Sequence, residues 1–178
     1  NQPDVMQFLR TVAGKHAETR LLGYQDDADV EPQVQAVFEA LKSEAGIAYV
    51  NSVRDFNPDA GVKSQRLRLP AESLRTRQAN CVDGAVLFAS LLEALSLNPA
   101  IIVLPAHVIV GWETAPQSDQ WQYLDTTKLD KRFDEAVKFG SVLAKVMEKQ
   151  KADTGNEEWF RRWSLRDLRG SQGIYPAE

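Results

Sequence analysis

The sequence predicts an α+β domain in which an antiparallel sheet packs against a helix carrying a cysteine at its N-terminus. Three observations carry this expectation. Residues 81–95 set Val82, Ala85, Val86, Ala89, Leu92 and Leu95 at helical spacing, with small residues that allow close approach to a sheet. Two runs rich in β-branched residues, Ile101–Leu104 and Val108–Val110, are followed by a third β-like run, Trp121–Leu124. Before and after this core lie segments whose apolar residues recur with helical period.

The elements follow in order. Val5, Phe8, Leu9 and Val12 predict an amphipathic helix over 3–12, and Val34, Val37, Phe38 and Leu41 predict another over 32–45. Between them Leu21–Asp29 is a polar, acidic connection. Ile47–Val50 reads as a short extended piece. Asn51–Leu69, with Asn57-Pro58-Asp59 and Gly61, reads as a long surface loop that leads into the cysteine helix and is placed to wall a cleft. The cysteine helix stops before Asn98-Pro99, where proline cannot continue it. After the three strands, Asp130–Lys151 sets Phe133, Val137, Leu143, Val146 and Met147 near one side of a further helix, with Gly140 as a weak point and Thr154-Gly155-Asn156 as its end. Trp159 and Trp163 are spaced to share one helical face and dock on the core. There is no internal repeat, low-complexity tract or interdomain linker.

Composition narrows the function classes. A chain of 178 residues suits a single domain with an ordinary core. The formal net charge of -4 argues against broad nucleic-acid affinity, which needs clustered Lys and Arg to neutralise phosphates. Local groups, Arg66, Arg68, Arg75 and Arg77, then Arg161, Arg162, Arg166 and Arg169, read as solvated faces and ion pairs. One cysteine excludes an intramolecular disulfide, no Cys and His grouping has zinc-site spacing, and no cofactor motif is present. No apolar run is long enough to span a bilayer. The chain begins at Asn1, and the expectation is one domain over 1–178 excised from a larger protein, with neighbouring domains as partners. The compartment stays open, a free thiol favouring the cytoplasm.

Cys81 lies in Gln78-Ala79-Asn80-Cys81-Val82-Asp83, where a polar stretch turns into the apolar helix. Asn80 is a good N-cap and Asp83 falls at N3, where a carboxylate bonds back. Unpaired N–H groups at a helix N-terminus favour a thiolate, while the Asp83 charge works against it. His107 opens the second strand and Asp125 closes the third, so adjacent antiparallel strands can set the two side by side and the helix can deliver Cys81 to the imidazole. The order reads nucleophile, base, orienter. Each member also has an ordinary reading, as a buried thiol, a satisfied core histidine and a strand-end turn residue. His16, in a polar stretch, reads as a solvated surface residue.

Asn80–Leu95, followed by Leu97-Asn98-Pro99, His107–Trp112 and Leu124-Asp125-Thr126-Thr127, resembles the core of the bacterial transglutaminase-like superfamily, in particular a group of domains of uncertain function within larger bacterial proteins. The flanks Gln65–Glu72, Leu165–Arg169 and Gly173–Pro176 are similar to that group as well, so the resemblance spans about positions 34 to 176. It implies a transglutaminase-like, cysteine-proteinase-like fold with Cys81 as nucleophile, His107 as general base and Asp125 as the residue orienting it. The implied chemistry is acyl transfer through a thioester, ending on water or on an amine. Many family members have glycine before the cysteine, where this chain has Asn80.

An oxyanion hole is also needed; the Cys81 backbone N–H is one candidate donor, and Gln65, in preference to Gln78, is the other. The reading is therefore a cysteine-dependent enzyme acting on amide bonds of a peptide or protein, hydrolytic rather than cross-linking because no acceptor site that excludes water is evident. The alternatives are an idle domain of the same fold that binds peptides or partner domains, and a nucleic-acid accessory domain using the arginine-rich C-terminal segment.

Overall fold

The computed structural model describes residues 2–25, 29–51, 54–55 and 64–174, with backbone alone at 54, 55, 64 and 65. Helices α1 (Pro3–Lys15) and α2 (Val30–Ser43) pack beside each other and beneath the cysteine helix α4 (Cys81–Ala94). The second starts two residues before the expected Pro32. Asp29 caps it by accepting from the Glu31 N–H at 3.2 Å, and proline in a first turn removes only a donor that has no intrahelical partner.

Four strands form one antiparallel sheet in the order β7-β6-β5-β8. They are β5 (Pro99–Leu104), β6 (His107–Glu113), β7 (Trp121–Leu124) and β8 (Arg161–Ser164). Strands β5 and β6 form a hairpin through Pro105-Ala106, with Leu104 opposite His107 and Ala106 at φ 59. Alternation along the strands gives the sheet two buried faces. Val108, Val110, Trp112 and Leu124 join the core made with α1, α2 and α4. Ile102, Ile109, Tyr123 and their neighbours face α5 (Phe133–Thr154), through Ala144, Leu143 and Met147.

Gly140 is a point of closest approach rather than a weak point. A Cβ there would stand 2.6 Å from the Leu124 backbone nitrogen, so α5 rests directly on β7. The tryptophan expectation also fails. Trp159 ends a 3-10 turn, Glu157–Trp159, whereas Trp163 lies in β8 opposite Ile101. The run Arg161-Arg162-Trp163 follows the two-residue period of an edge strand, sending Arg162 to one face and Trp163 to the other.

Short elements complete the frame, the first strand falling within the extended piece expected over Ile47–Val50 and the second and third within the segment expected as a loop. They are α3 (Pro70–Thr76), α6 (Leu165–Gly170), a parallel pair of β1 (Ala48–Tyr49) with β4 (Gln78–Ala79), and an antiparallel pair of β2 (Arg54–Asp55) with β3 (Ser64–Gln65). The rest of the long segment before Ser64 lies outside the described residues. At the far end of β6, the fully buried Glu113 accepts from Asn98 Nδ2 (2.9 Å), the Asp119 N–H (2.8 Å) and Arg166 Nη1 (3.0 Å). Burial pushes this carboxyl up, but the three donors outweigh it and hold it below its ordinary value. The network ties β6, the β6–β7 connection and α6 together.

Candidate active site

The site is built at the end of the sheet where β6 begins and β7 ends. Val110 pairs with Leu124, so one further step along the ladder sets Asp125 opposite Ile109, two residues from His107. Long side chains on adjacent strands reach each other across that diagonal. His107 Nε2 lies 3.2 Å from Asp125 Oδ2. The other carboxylate oxygen, Oδ1, accepts from the Thr127 N–H (2.9 Å) and the Thr127 hydroxyl (2.7 Å), so Asp125 also caps the 3-10 turn Thr126–Lys128. The carboxylate is thereby fixed on both sides.

Cys81 is the first residue of α4 and is half-buried. Its side chain is hydrogen-bonded to His107 and accepts from the backbone N–H of Val108 and of Val82. With Nε2 on Asp125, the ring nitrogen left for the thiol is Nδ1. The three residues are therefore contiguous, with the imidazole held between carboxylate and thiol.

The charges follow from this arrangement. The bond to His107 lowers the thiol pKa; burial opposes the shift, but the Val108 and Val82 donors and the imidazolium charge reinforce it. His107 is raised to about 9, first by the bond to Asp125, then by the bond to Cys81, with burial opposing. Burial pushes Asp125 up, but its bonds from His107 and Thr127 outweigh this and leave it lowered. Both directions favour a thiolate beside an imidazolium over the neutral pair.

Asn80 is buried and forms the expected reciprocal cap. Its Oδ1 accepts from the Asp83 N–H at 2.9 Å, and the Asn80 N–H donates to Asp83 Oδ2 at 3.2 Å. The charge of Asp83 is not left facing the thiol. Arg68 donates to it twice, backbone N–H to Oδ1 at 2.8 Å and Nη1 to Oδ2 at 2.8 Å. Arg68 is thus a member of the site that the sequence placed only in a generic basic group. Fifteen residues separate it from Asp83, and no local pattern announces such a pair. Gly84 is the second addition. A Cβ there would stand 2.7 Å from Thr126 Oγ1, so only glycine lets the turn after Asp125 close against α4.

Of the two glutamine candidates, Gln78 is exposed in β4, three residues before Cys81. The Gln65 backbone pairs with Arg54, and its side chain lies outside the described residues. Beside the site is a cavity of about 650 Å3, lined by Tyr49, Ala79, Thr126, Thr127 and by residues 128–131. The arginine groups are largely paired, as Arg66 with Glu72, Arg162 with Asp119, Arg166 with Glu113 and Arg169 with Glu93. Among the described residues no group of three or more His, Cys, Asp or Glu is arranged to hold a metal ion, and no helix is long and apolar enough to cross a membrane.

No protein-family model matches the chain, and no curated protein matches it. Among solved structures the chain is similar to LapG of Legionella pneumophila. The EGTA-treated LapG structure is 15% identical, with 77% of this chain and 70% of that chain covered at a TM-score of 0.44. A further LapG structure gives 16% identity, 77% and 72% coverage and a TM-score of 0.42. The calcium-bound one gives 15% identity, 76% and 72% coverage and a TM-score of 0.39.

Proposed function

We propose that the chain is a cysteine-dependent acyl-transfer enzyme of transglutaminase-like type, which cleaves amide bonds of a peptide or protein substrate. The observation that carries this reading is the imidazole of His107, bonded on one side to Asp125 and on the other to Cys81. Asp125 orients the ring and stabilises its cationic form.

In the first step Cys81 Sγ bonds to the carbonyl carbon and the carbonyl π electrons move to oxygen. The Cys81 backbone N–H is the first donor proposed for that oxyanion, with Gln78 or Gln65 as the second. Collapse of the adduct breaks the C–N bond as His107 gives its proton to the departing amine, leaving a thioester. Water then attacks the thioester while His107 takes a proton from it, and cleavage of the C–S bond restores the thiolate. Hydrolysis is favoured over transfer to an amine because Cys81 is half-buried rather than enclosed, and His107 keeps about a quarter of its side chain exposed.

The test is the rate of Cys81 alkylation by iodoacetamide against pH, followed by mass spectrometry, in the native chain and in His107→Ala. The expected result is labelling that persists below about pH 7, well under the free-thiol pKa of ~8.5, and is lost in the variant. Labelling that rises only near the free-thiol value and ignores the substitution would overturn the activated pair, leaving a peptide-binding domain with an idle site.

A further inference from the structure

The sheet face that carries α4 is covered unevenly, and the uncovered part adjoins Cys81. On that face Val110, Trp112 and Leu124 are fully buried, but Val103 of β5 is 37% exposed and Trp163 of β8 is 41% exposed. Register makes these two diagonal neighbours: Ile101 faces Trp163 directly, while Val103 faces the exposed Arg161, which borders the strip on the same face. Half-buried Ile101 completes the floor.

Helix α4 supplies a wall. Beyond Cys81, its half-buried positions Val82, Val86, Ser90 and Glu93 fall within about 80° of one another at 100° per residue, with half-buried Ala94 about 40° further round. Glu93 bonds Arg169 of α6 through both carboxylate oxygens, at 2.9 and 3.0 Å, so this stripe turns toward α6 and the β8 edge. Val82 and Val86 therefore flank the strip floored by Ile101, Val103 and Trp163. The Glu93–Arg169 pair closes its far end. Its near end opens at Val108, which pairs with Val103 and gives its N–H to the Cys81 sulfur.

Isolated exposed apolar residues are common and mean little; five that converge on one strip ending at an activated sulfur are a different matter. We propose that this strip is a substrate subsite that takes an apolar side chain, aliphatic or aromatic, two or three residues along the peptide from the amide attacked by Cys81. The inference rests on the acyl-transfer reading above. Its occupant follows from continuity with that site: neighbouring strands are ~4.8 Å apart, so an extended peptide crossing from Cys81 over β6 and β5 toward β8 covers about 10 Å, the span of three residues.

The probes are two peptidyl chloromethyl ketones, acetyl-Phe-Gly and acetyl-Gly-Gly, which alkylate Cys81 with formation of a thioether and loss of chloride. Iodoacetamide, too small to reach the strip, reports the thiol alone. In the native chain the Phe probe is expected to inactivate about tenfold faster than the Gly probe, as partial burial of one aromatic side chain warrants. In Trp163→Ser and, independently, Val103→Ser, that ratio should fall to within about twofold while the iodoacetamide rate stays unchanged. A native ratio near one, or a preference that survives both substitutions, overturns the subsite. Slow iodoacetamide labelling that ignores His107→Ala overturns the enzyme reading instead, and the Phe-to-Gly ratio still decides the strip, because it is independent of the absolute thiol reactivity.

Discussion

Replacing Arg68 by Met separates the structural from the electrostatic role of the first turn of α4. Arg68 has 18% of its side chain exposed and Asp83 none, so this is a largely buried pair. Removing one partner of such a pair costs about 3–5 kcal/mol when the remaining charge is left bare. Here the Arg68 and Asn80 backbone N–H groups still bond the carboxylate after the substitution, which brings the expected loss to about 2–3 kcal/mol. The second effect falls on the sulfur. A neighbouring carboxylate, no longer neutralised, disfavours the thiolate by on the order of 1 kcal/mol, which moves the labelling midpoint up by roughly 0.7 pH units.

Urea unfolding measures the first effect and the pH dependence of iodoacetamide labelling the second. Adding Asp83→Asn to Arg68→Met should return the labelling midpoint most of the way, because both charges are then gone, and the double-mutant cycle isolates the coupling. A single variant with unchanged midpoint and less than about 0.5 kcal/mol lost would refute the claim that Arg68 neutralises Asp83 beside Cys81.

Hydrolytic activity on any substrate found should be bell-shaped in pH, rising as Cys81 ionises below its ordinary range and falling near pH 9 as His107 gives up its proton. Asp125→Asn removes the leading cause of the raised His107 value, so the alkaline limb should move down in pH and the rate fall by about 10²–10⁴, read from steady-state kinetics. Gly84→Ala pushes a methyl against Thr126; thermal unfolding should show about 1–3 kcal/mol lost, and Cys81 labelling should lose much of its dependence on His107. Glu113→Gln weakens a buried three-donor network six residues along β6 from His107, so stability should fall by about 2–4 kcal/mol while the labelling profile stays as in the native chain.

The core elements were legible in the sequence because their signals are local. The stripe from Val82 to Leu95, the β-branched runs on either side of Pro105-Ala106 and the proline stop at Pro99 each follow from period and backbone restriction, and the helices and strands stand where those patterns put them. The cap at Asn80 was readable for the same reason, its two bonds spanning only three residues. Trp163 was misplaced because two tryptophans four apart fit a helical face, whereas pairing with Ile101, sixty-two residues away, makes the segment an edge strand. Gly140, read as a defect, is a contact with β7 that only the folded chain contains.

The sequence by itself determined the kinds of side chain available for chemistry, one thiol and two imidazoles, and the local elements that carry them. Only the tertiary structure decided which of them meet. The diagonal of an antiparallel ladder sets Asp125 beside His107, Gly84 admits the turn that holds Asp125, and Arg68 cancels a charge fifteen residues away. These are contacts between segments whose proximity depends on sheet register and helix packing, and no periodicity within a short window encodes them.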